Sequence, residues 1–408
     1  MIGPWASERM LGLKVLVVFG TRPEAIKMAP LVQMLQKDKM LECRVAVTAQ
    51  HREMLDQVLR LFDIRPDHDL NVMRDGQTLF DITVRALAGL QRVMEAESPD
   101  LVLVHGDTTT TMAAALAAYY LQLPVGHVEA GLRTGNKYSP FPEEMNRRLA
   151  GALADLHFAP TAGARANLLR EGVDPERVFV TGNTVIDALL ATVRPAYRFG
   201  DPLLDGLDFA RHRVLLVTTH RRENLGEPMR DIYLALRDVL ERHPDVRVLF
   251  PVHKNPAVRQ VVREVLGSSE RVHLVEPMDY EPFVNLMARC YLVLTDSGGM
   301  QEEAPSLGKP VLVLRNTTER PEAVTAGTVR LVGTDRAAVQ RETELLLTDR
   351  DRYRAMAEAV NPYGDGRACA RIVAAIKYAF KLTRRRPQEF SVPPAGRQAA
   401  GGSEPPLQ

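Results

Sequence analysis

The chain has 408 residues, 45% of them hydrophobic and 25% charged, which is long enough and apolar enough for two domains with separate cores. A formal net charge of +1 argues against nucleic acid or an anionic membrane as the main partner, because neither sign dominates. No apolar run reaches the length of a bilayer span, and Cys43, Cys290 and Cys369 are far apart without metal-ligand spacing, as expected of buried thiols in a reducing cytosol.

Residues 1–12 read as a loose leader in which Met10 is a second candidate start. The apolar run 11–20 is interrupted by Lys14 and followed by Thr21-Arg22-Pro23-Glu24 instead of a small-residue cleavage site. It is therefore expected to be a first strand, and the protein to be cytoplasmic. Thr21 with Glu24 three positions on forms a capping box, and Pro23 suits a first helical turn. Arg22 thus falls between the carboxyl end of a strand and the amino end of a helix, where open α/β sheets place ligands. Lys27 lies one turn further in.

Residues 44–48 predict a second strand and 53–62 a helix. Asp67-His68-Asp69 sits in a Pro-containing stretch with no strand before it and reads as solvated loop. A helix over 79–97 precedes a buried strand over 100–104, which ends in His105-Gly106-Asp107 before four threonines. A fourth strand, 124–128, ends in Glu129, and the loop 138–147 carries Glu143. Three carboxylates, Asp107, Glu129 and Glu143, are thereby offered at the carboxyl edge of one sheet. Short strands follow at 155–159 and 178–180, with Asn183 in a turn that caps another helix.

Residues 194–212 mix Pro, Gly and charge and read as a linker between domains. The alternation then restarts. A strand over 214–218 leads to His220-Arg221-Arg222-Glu223-Asn224, a strand over 246–250 to His253, and a strand over 291–294 to Asp296-Ser297-Gly298-Gly299. This last turn opens a helical pattern at 300–306, and small residues with free N–H groups at a helix start suit a phosphate. Glu302 and Glu303 follow within reach of a ribose, and Arg320 lies beyond the next strand. Helices are predicted over 336–359 and 368–382, then a disordered tail. The division is 13–193, a linker at 194–212, 213–383, and a tail at 384–408. Two β/α series predict two doubly wound, Rossmann-like α/β domains facing each other across a cleft.

With Gly20-Thr21-Arg22-Pro23-Glu24, His105-Gly106-Asp107, His127-Val128-Glu129-Ala130-Gly131, His220-Arg221-Arg222-Glu223-Asn224 and Asp296-Ser297-Gly298-Gly299 in order, residues 14–379 closely resemble the non-hydrolysing bacterial UDP-N-acetylglucosamine 2-epimerases. The resemblance implies the GT-B architecture of B-type glycosyltransferases. It also implies interconversion of UDP-GlcNAc and UDP-ManNAc for surface polysaccharides, with no metal and no other cofactor. The route it implies expels UDP from C1 as C2 loses its proton, giving 2-acetamidoglucal, and then re-adds UDP. By the same resemblance Arg22, Ser297, Gly298, Gly299 and Arg320 hold the diphosphate, Glu303 the ribose and Phe283 the uracil, with Lys27 a further ligand contact. Asp107, Glu129, Glu143 and His220 match catalytic positions. Gln50, Glu143, Arg221 and His253 match an allosteric site for a second UDP-GlcNAc, and a homodimer is implied.

The sequence departs from some members at Glu53, Gly76 and Met278. Two rivals share much of this pattern. A B-type glycosyltransferase would need an acceptor-binding insertion that is not evident, and a hydrolysing epimerase would release free ManNAc. A catalytically dead UDP-sugar sensor would not need the carboxylate trio.

Overall fold

The computed structural model describes residues 12–49 and 52–392. Seven parallel strands form the first sheet: β1 (Leu13–Phe19), β2 (Leu41–Val47), β3 (His68–Asp69), β4 (Leu101–His105), β5 (Val125–Val128), β6 (Leu156–Ala159) and β7 (Val178–Val180). Their order is β3-β2-β1-β4-β5-β6-β7. Val15 to Phe19 are buried on both faces, which is why these strands read as continuous apolar runs and not as alternating ones. Strand β1 is fixed in register by its own polar edge. The N–H of Lys14 donates to Asp100 at 2.8 Å, and its ammonium group to the carbonyl of Glu97 at 2.9 Å.

The second sheet holds β8 (Arg213–Thr218), β9 (Val246–Pro251), β10 (Val272–Val275), β11 (Leu292–Thr295), β12 (Val311–Val313) and β13 (Val329–Leu331). Its order is β10-β9-β8-β11-β12-β13, again all parallel. The two-domain, doubly wound architecture expected from the alternation is therefore present. In each sheet the strand order reverses once, between β1 and β4 and between β8 and β11. A crevice must open at the carboxyl ends of those pairs, because their following helices leave on opposite faces. Those four ends carry Gly20–Glu24, Gly106–Thr108, Thr219–Arg221 and Asp296–Gly299.

Several elements depart from the sequence reading. His68 and Asp69 are not loop but a two-residue edge strand, because Asp67 accepts the Val45 N–H at 2.8 Å and draws the segment onto β2. The helix expected over 336–359 breaks in two at Asp349, whose carboxylate caps Arg350–Ala357 by accepting from Asp351 and Arg352. Pro305 tightens the helix after Gly299, so Met300–Glu303 passes into a 3₁₀ turn, Ala304–Leu307. Glu143 opens a helix, Glu143–Leu153, and is not in a loop.

The helix Ala368–Ala379, placed by the alternation in the second domain, packs on the first. Ile372, Val373 and Ile376 are buried there, and Asp187 accepts the N–H groups of Ala368 and Cys369 at 3.1 and 2.9 Å. The start of the expected disordered tail is likewise ordered. Phe390 is buried and its N–H donates to Val180 at 2.8 Å, while Arg386 lies over the ring of Phe179. The rest of that tail, and the leader with Met10, lie outside the described residues. Among the described residues no helix is long and apolar enough to cross a membrane.

Candidate active site

A cleft of about 930 Å³ opens between the two sheets, and residues from both domains line it. On the first wall the Gly20–Glu24 turn is built as the capping box predicts. Glu24 is almost wholly buried and accepts the N–H groups of Gly20 and Thr21 at 3.0 and 2.8 Å and the Thr21 hydroxyl at 2.8 Å. Its other oxygen takes the Thr108 hydroxyl at 2.6 Å, which ties this turn to the one holding Asp107. Arg22 is thereby carried to the cleft, where it has no ion-pair partner among the described residues.

Glu129 follows β5 in the left-handed region at φ 62°, an uncommon and costly conformation for a residue with a Cβ. Lys27 ion-pairs with its Oε2 across the cleft floor, and Asn183 donates to the same oxygen at 2.9 Å. Burial pushes the Glu129 carboxyl up, but the charge of Lys27 and the hydrogen bond that Lys27 donates outweigh it and hold the group below the usual carboxylate range. His105 itself is buried with neither ring nitrogen bonded among the described residues, and burial drives its pKa down to about 3, so it is a neutral ring at physiological pH. Asp107 is held by Arg147, whose Nη2 and Nε donate to Oδ2 at 2.7 and 3.0 Å. Glu143 presents a different environment, since its Oε2 is buried without a hydrogen-bond partner among the described residues.

On the second wall the organiser is Asp296, fully buried after β11. It accepts the N–H groups of His220 and Arg221, each at 2.9 Å, and the Asn224 amide at 3.2 Å. One carboxylate thus folds the loop from His220 to Asn224 over its strand end. The imidazole of His220 stacks on that of His253, with centroids 5.7 Å apart and planes at 23°. Beyond Asp296, the N–H of Ser297 is taken by the Thr295 hydroxyl at 2.9 Å, whereas those of Gly298 and Gly299 have no acceptor among the described residues.

The two adjacent glutamates of the following turn differ. Glu302 is buried and ion-pairs with Arg320, while its Oε2 accepts from Asn183 at 2.9 Å. Glu303 forms no ion pair among the described residues, and the charges of Lys27 and Arg22 act on it only more weakly. Burial, and then the negative charge of Glu302, push its pKa up to about 8. Beside it Tyr280 has a buried hydroxyl without a hydrogen-bond partner among the described residues, and Phe283 and Met278 complete an apolar end of the cleft.

The structure brings Arg22, Lys27, Asp107, Glu129, Glu143, His220, His253, Phe283, Ser297, Gly299, Glu303 and Arg320 to this one cleft. Gly298 and Arg221 are not among the residues that line it; the Arg221 guanidinium reaches the Asp296 carbonyl at 3.3 Å and Glu319 at 3.9 Å. Gln50 lies outside the described residues. Glu302, read in the sequence as a carboxylate for a ribose, is instead engaged by Arg320 and Asn183. The sequence reading also missed Asp296 as an acceptor and Asn183 as a double donor. Its one signal for Asn183 was the helix cap, which concerns only the amide oxygen.

The profile of the family described as UDP-N-acetylglucosamine 2-epimerase matches residues 33–377. The UDP-N-acetylglucosamine 2-epimerase of Escherichia coli K12 is 58% identical over 371 residues, covering 90% of this chain and 98% of its own. A Staphylococcus aureus protein, MnaA, solved with UDP superposes with a TM-score of 0.82 at 53% identity, over 93% of this chain and all of its own. The Neisseria meningitidis UDP-GlcNAc 2-epimerase, solved bound to UDP-GlcNAc, superposes with a TM-score of 0.80 at 50% identity, over 89% and 99%.

Proposed function

The chain belongs to the UDP-N-acetylglucosamine 2-epimerase family, and from that premise we propose that it inverts C2 of UDP-GlcNAc by reversible elimination of UDP. The C2 proton is not acidified by a carbonyl, so it cannot be removed simply as a proton. Breaking the C1–O bond as C2 loses its proton solves this. The bonding pair leaves with UDP, the C2–H pair becomes the C1–C2 double bond of 2-acetamidoglucal, and a carboxylate takes the proton. Return of a proton to the opposite face of C2, with attack of UDP on C1, gives UDP-ManNAc.

The observation that carries this reading is the convergence of anion-binding groups and carboxylates from both domains on one cleft. Arg22, with no ion-pair partner among the described residues, and the N–H groups of Gly298 and Gly299 suit the departing diphosphate. The same cleft is lined by Asp107, Glu129 and Glu143, on the wall that carries Arg22 and across from the turn of Gly298 and Gly299. Among these, Glu143 has the oxygen free to accept a proton, whereas Glu129 is occupied by Lys27 and Asn183. Glu303 would meet the ribose and Phe283 the uracil. His220, oriented by Asp296, would face the leaving oxygen.

UDP-GlcNAc with heavy oxygen in its sugar–phosphate bridge tests the elimination. Scrambling of label into the non-bridging β-phosphate positions is expected, and epimerisation with the label fully retained would overturn it. We also propose activation by a second UDP-GlcNAc near His253 and Arg221, in a cytoplasmic homodimer supplying cell-surface polysaccharide synthesis. With UDP-ManNAc as sole substrate a lag abolished by added UDP-GlcNAc is expected; hyperbolic kinetics without lag would sink the activation.

A further inference from the structure

Asn183 stands between the two walls and was not among the expected site residues. It caps the helix Thr184–Thr192, and its Oδ1 accepts the Val185 N–H at 3.1 Å. That bond settles which end of the amide faces the cleft, because the Nδ2 group must point the other way. Both of its hydrogens are then used, one on Glu129 Oε2 and one on Glu302 Oε2, each at 2.9 Å. Glu129 belongs to the first domain and Glu302 to the second. The main chain is held as well, since the Asn183 N–H donates to the Tyr363 carbonyl at 2.6 Å. An unbroken series of donors and acceptors therefore runs from Lys27 through Glu129, Asn183 and Glu302 to Arg320, and crosses between domains at one neutral side chain.

A cap needs only a side-chain oxygen, which Ser, Thr or Asp supplies as well. The two N–H bonds are beyond that need. They also do what neither an aspartate nor a serine cap could do here. Two buried carboxylates approach the same point, and an amide donates to both without adding like charge between them.

We propose that Asn183 is a positioning residue for the epimerisation, aiming Glu129 at the sugar and, through Glu302, setting Arg320 to receive the diphosphate. The inference rests on the elimination reading above and on the roles that the family resemblance implies for Glu129 and Arg320. Carboxylate and cation are then placed together, so the site is complete only when the two domains hold this spacing.

The test uses the full chain with Asn183→Asp and Asn183→Ser, both of which keep a capping oxygen. Urea unfolding, UDP binding, KM for UDP-GlcNAc and the pH profile of kcat are measured beside the wild type. The groups facing Glu129 are Lys27, His105 and, across residue 183, Glu302 with Arg320. A carboxylate at 183 joins Glu302 in opposing ionisation of Glu129, so the acidic limb of kcat is expected to move to higher pH. The expected kcat falls roughly 100-fold for Asn183→Asp and roughly 10-fold for Asn183→Ser, with KM little changed. Stability falls in Asn183→Asp, which buries a third carboxylate, and little in Asn183→Ser. Wild-type kcat and pH profile in Asn183→Asp would overturn the proposal. So would rate losses that simply track losses of stability with the pH profile unmoved. An inactive wild type would instead overturn the elimination reading on which the proposal stands.

Discussion

Asp296 Oδ1 lies 3.2 Å from Nδ1 of His220, and the same carboxylate accepts the His220 backbone N–H. The strand-end aspartate of the second sheet thus sets both the main chain and the ring of a residue on the neighbouring strand end. Burial raises the Asp296 pKa, but the His220 ring and the N–H groups of Arg221 and His220 outweigh it and hold it low. A depressed carboxyl stabilises the fold above its unfolded pKa of about 3.9, and the contribution is lost as pH falls through the lower folded value. Asp296→Asn is therefore expected to cost about 2–3 kcal/mol at neutral pH. The gap from wild type should close in acid. Urea melts across pH check this, and a gap that stays constant in acid would contradict it.

Glu303 carries the opposite shift, to about 8, because it is buried beside Glu302. A ribose gains most from the ionised carboxylate. Affinity for UDP should then rise with pH, by roughly 10-fold between about pH 7 and 9, as the group ionises. The phosphate of UDP titrates equally in Glu303→Gln, which should lack this component. Calorimetric titrations of both proteins decide, and identical pH slopes would exclude it.

Lys27 and Glu129 form a pair with side chains only 18% and 8% exposed. Removing one member leaves the other charge buried and alone. Lys27→Met is expected to cost about 3 kcal/mol and to abolish most activity. Adding Glu129→Gln should restore part of the stability but none of the activity. Additive losses in the double variant would show that the pair is not coupled.

Gly20 has room for no side chain. A Cβ there would lie 2.0 Å from Thr48 Oγ1 and 2.5 Å from Thr110 Oγ1, two hydroxyls that bond each other at 2.8 Å. Gly20→Ala should destabilise the protein by about 1–3 kcal/mol and weaken UDP binding, because the turn carries Arg22. Unchanged denaturation would mean that the two threonines yield freely.

What the sequence could express was local. The Thr21–Glu24 capping box, the buried parallel strands and the turns after them depend on residues a few positions apart, and period and composition show them. The second domain's turn at Asp296–Gly299 was visible for the same reason. The contacts that finish the site were not. Asn183 reaches Glu302 across 119 positions and Asp296 reaches His220 across 76. Nor could an amphipathic helix at 368–379 reveal that its apolar face completes the core of the first sheet and not the second. The break at Asp349 and the edge strand at His68 were in principle readable, since each follows from one aspartate side chain bonding its own neighbourhood.

The most direct test of the elimination is proton NMR of the purified protein with UDP-GlcNAc in deuterated water. The account predicts UDP-ManNAc carrying deuterium at C2, with label also entering C2 of the remaining UDP-GlcNAc and no free sugar beyond traces of the glycal. Epimerisation that keeps the original C2 hydrogen, or free ManNAc as the accumulating product, would contradict it.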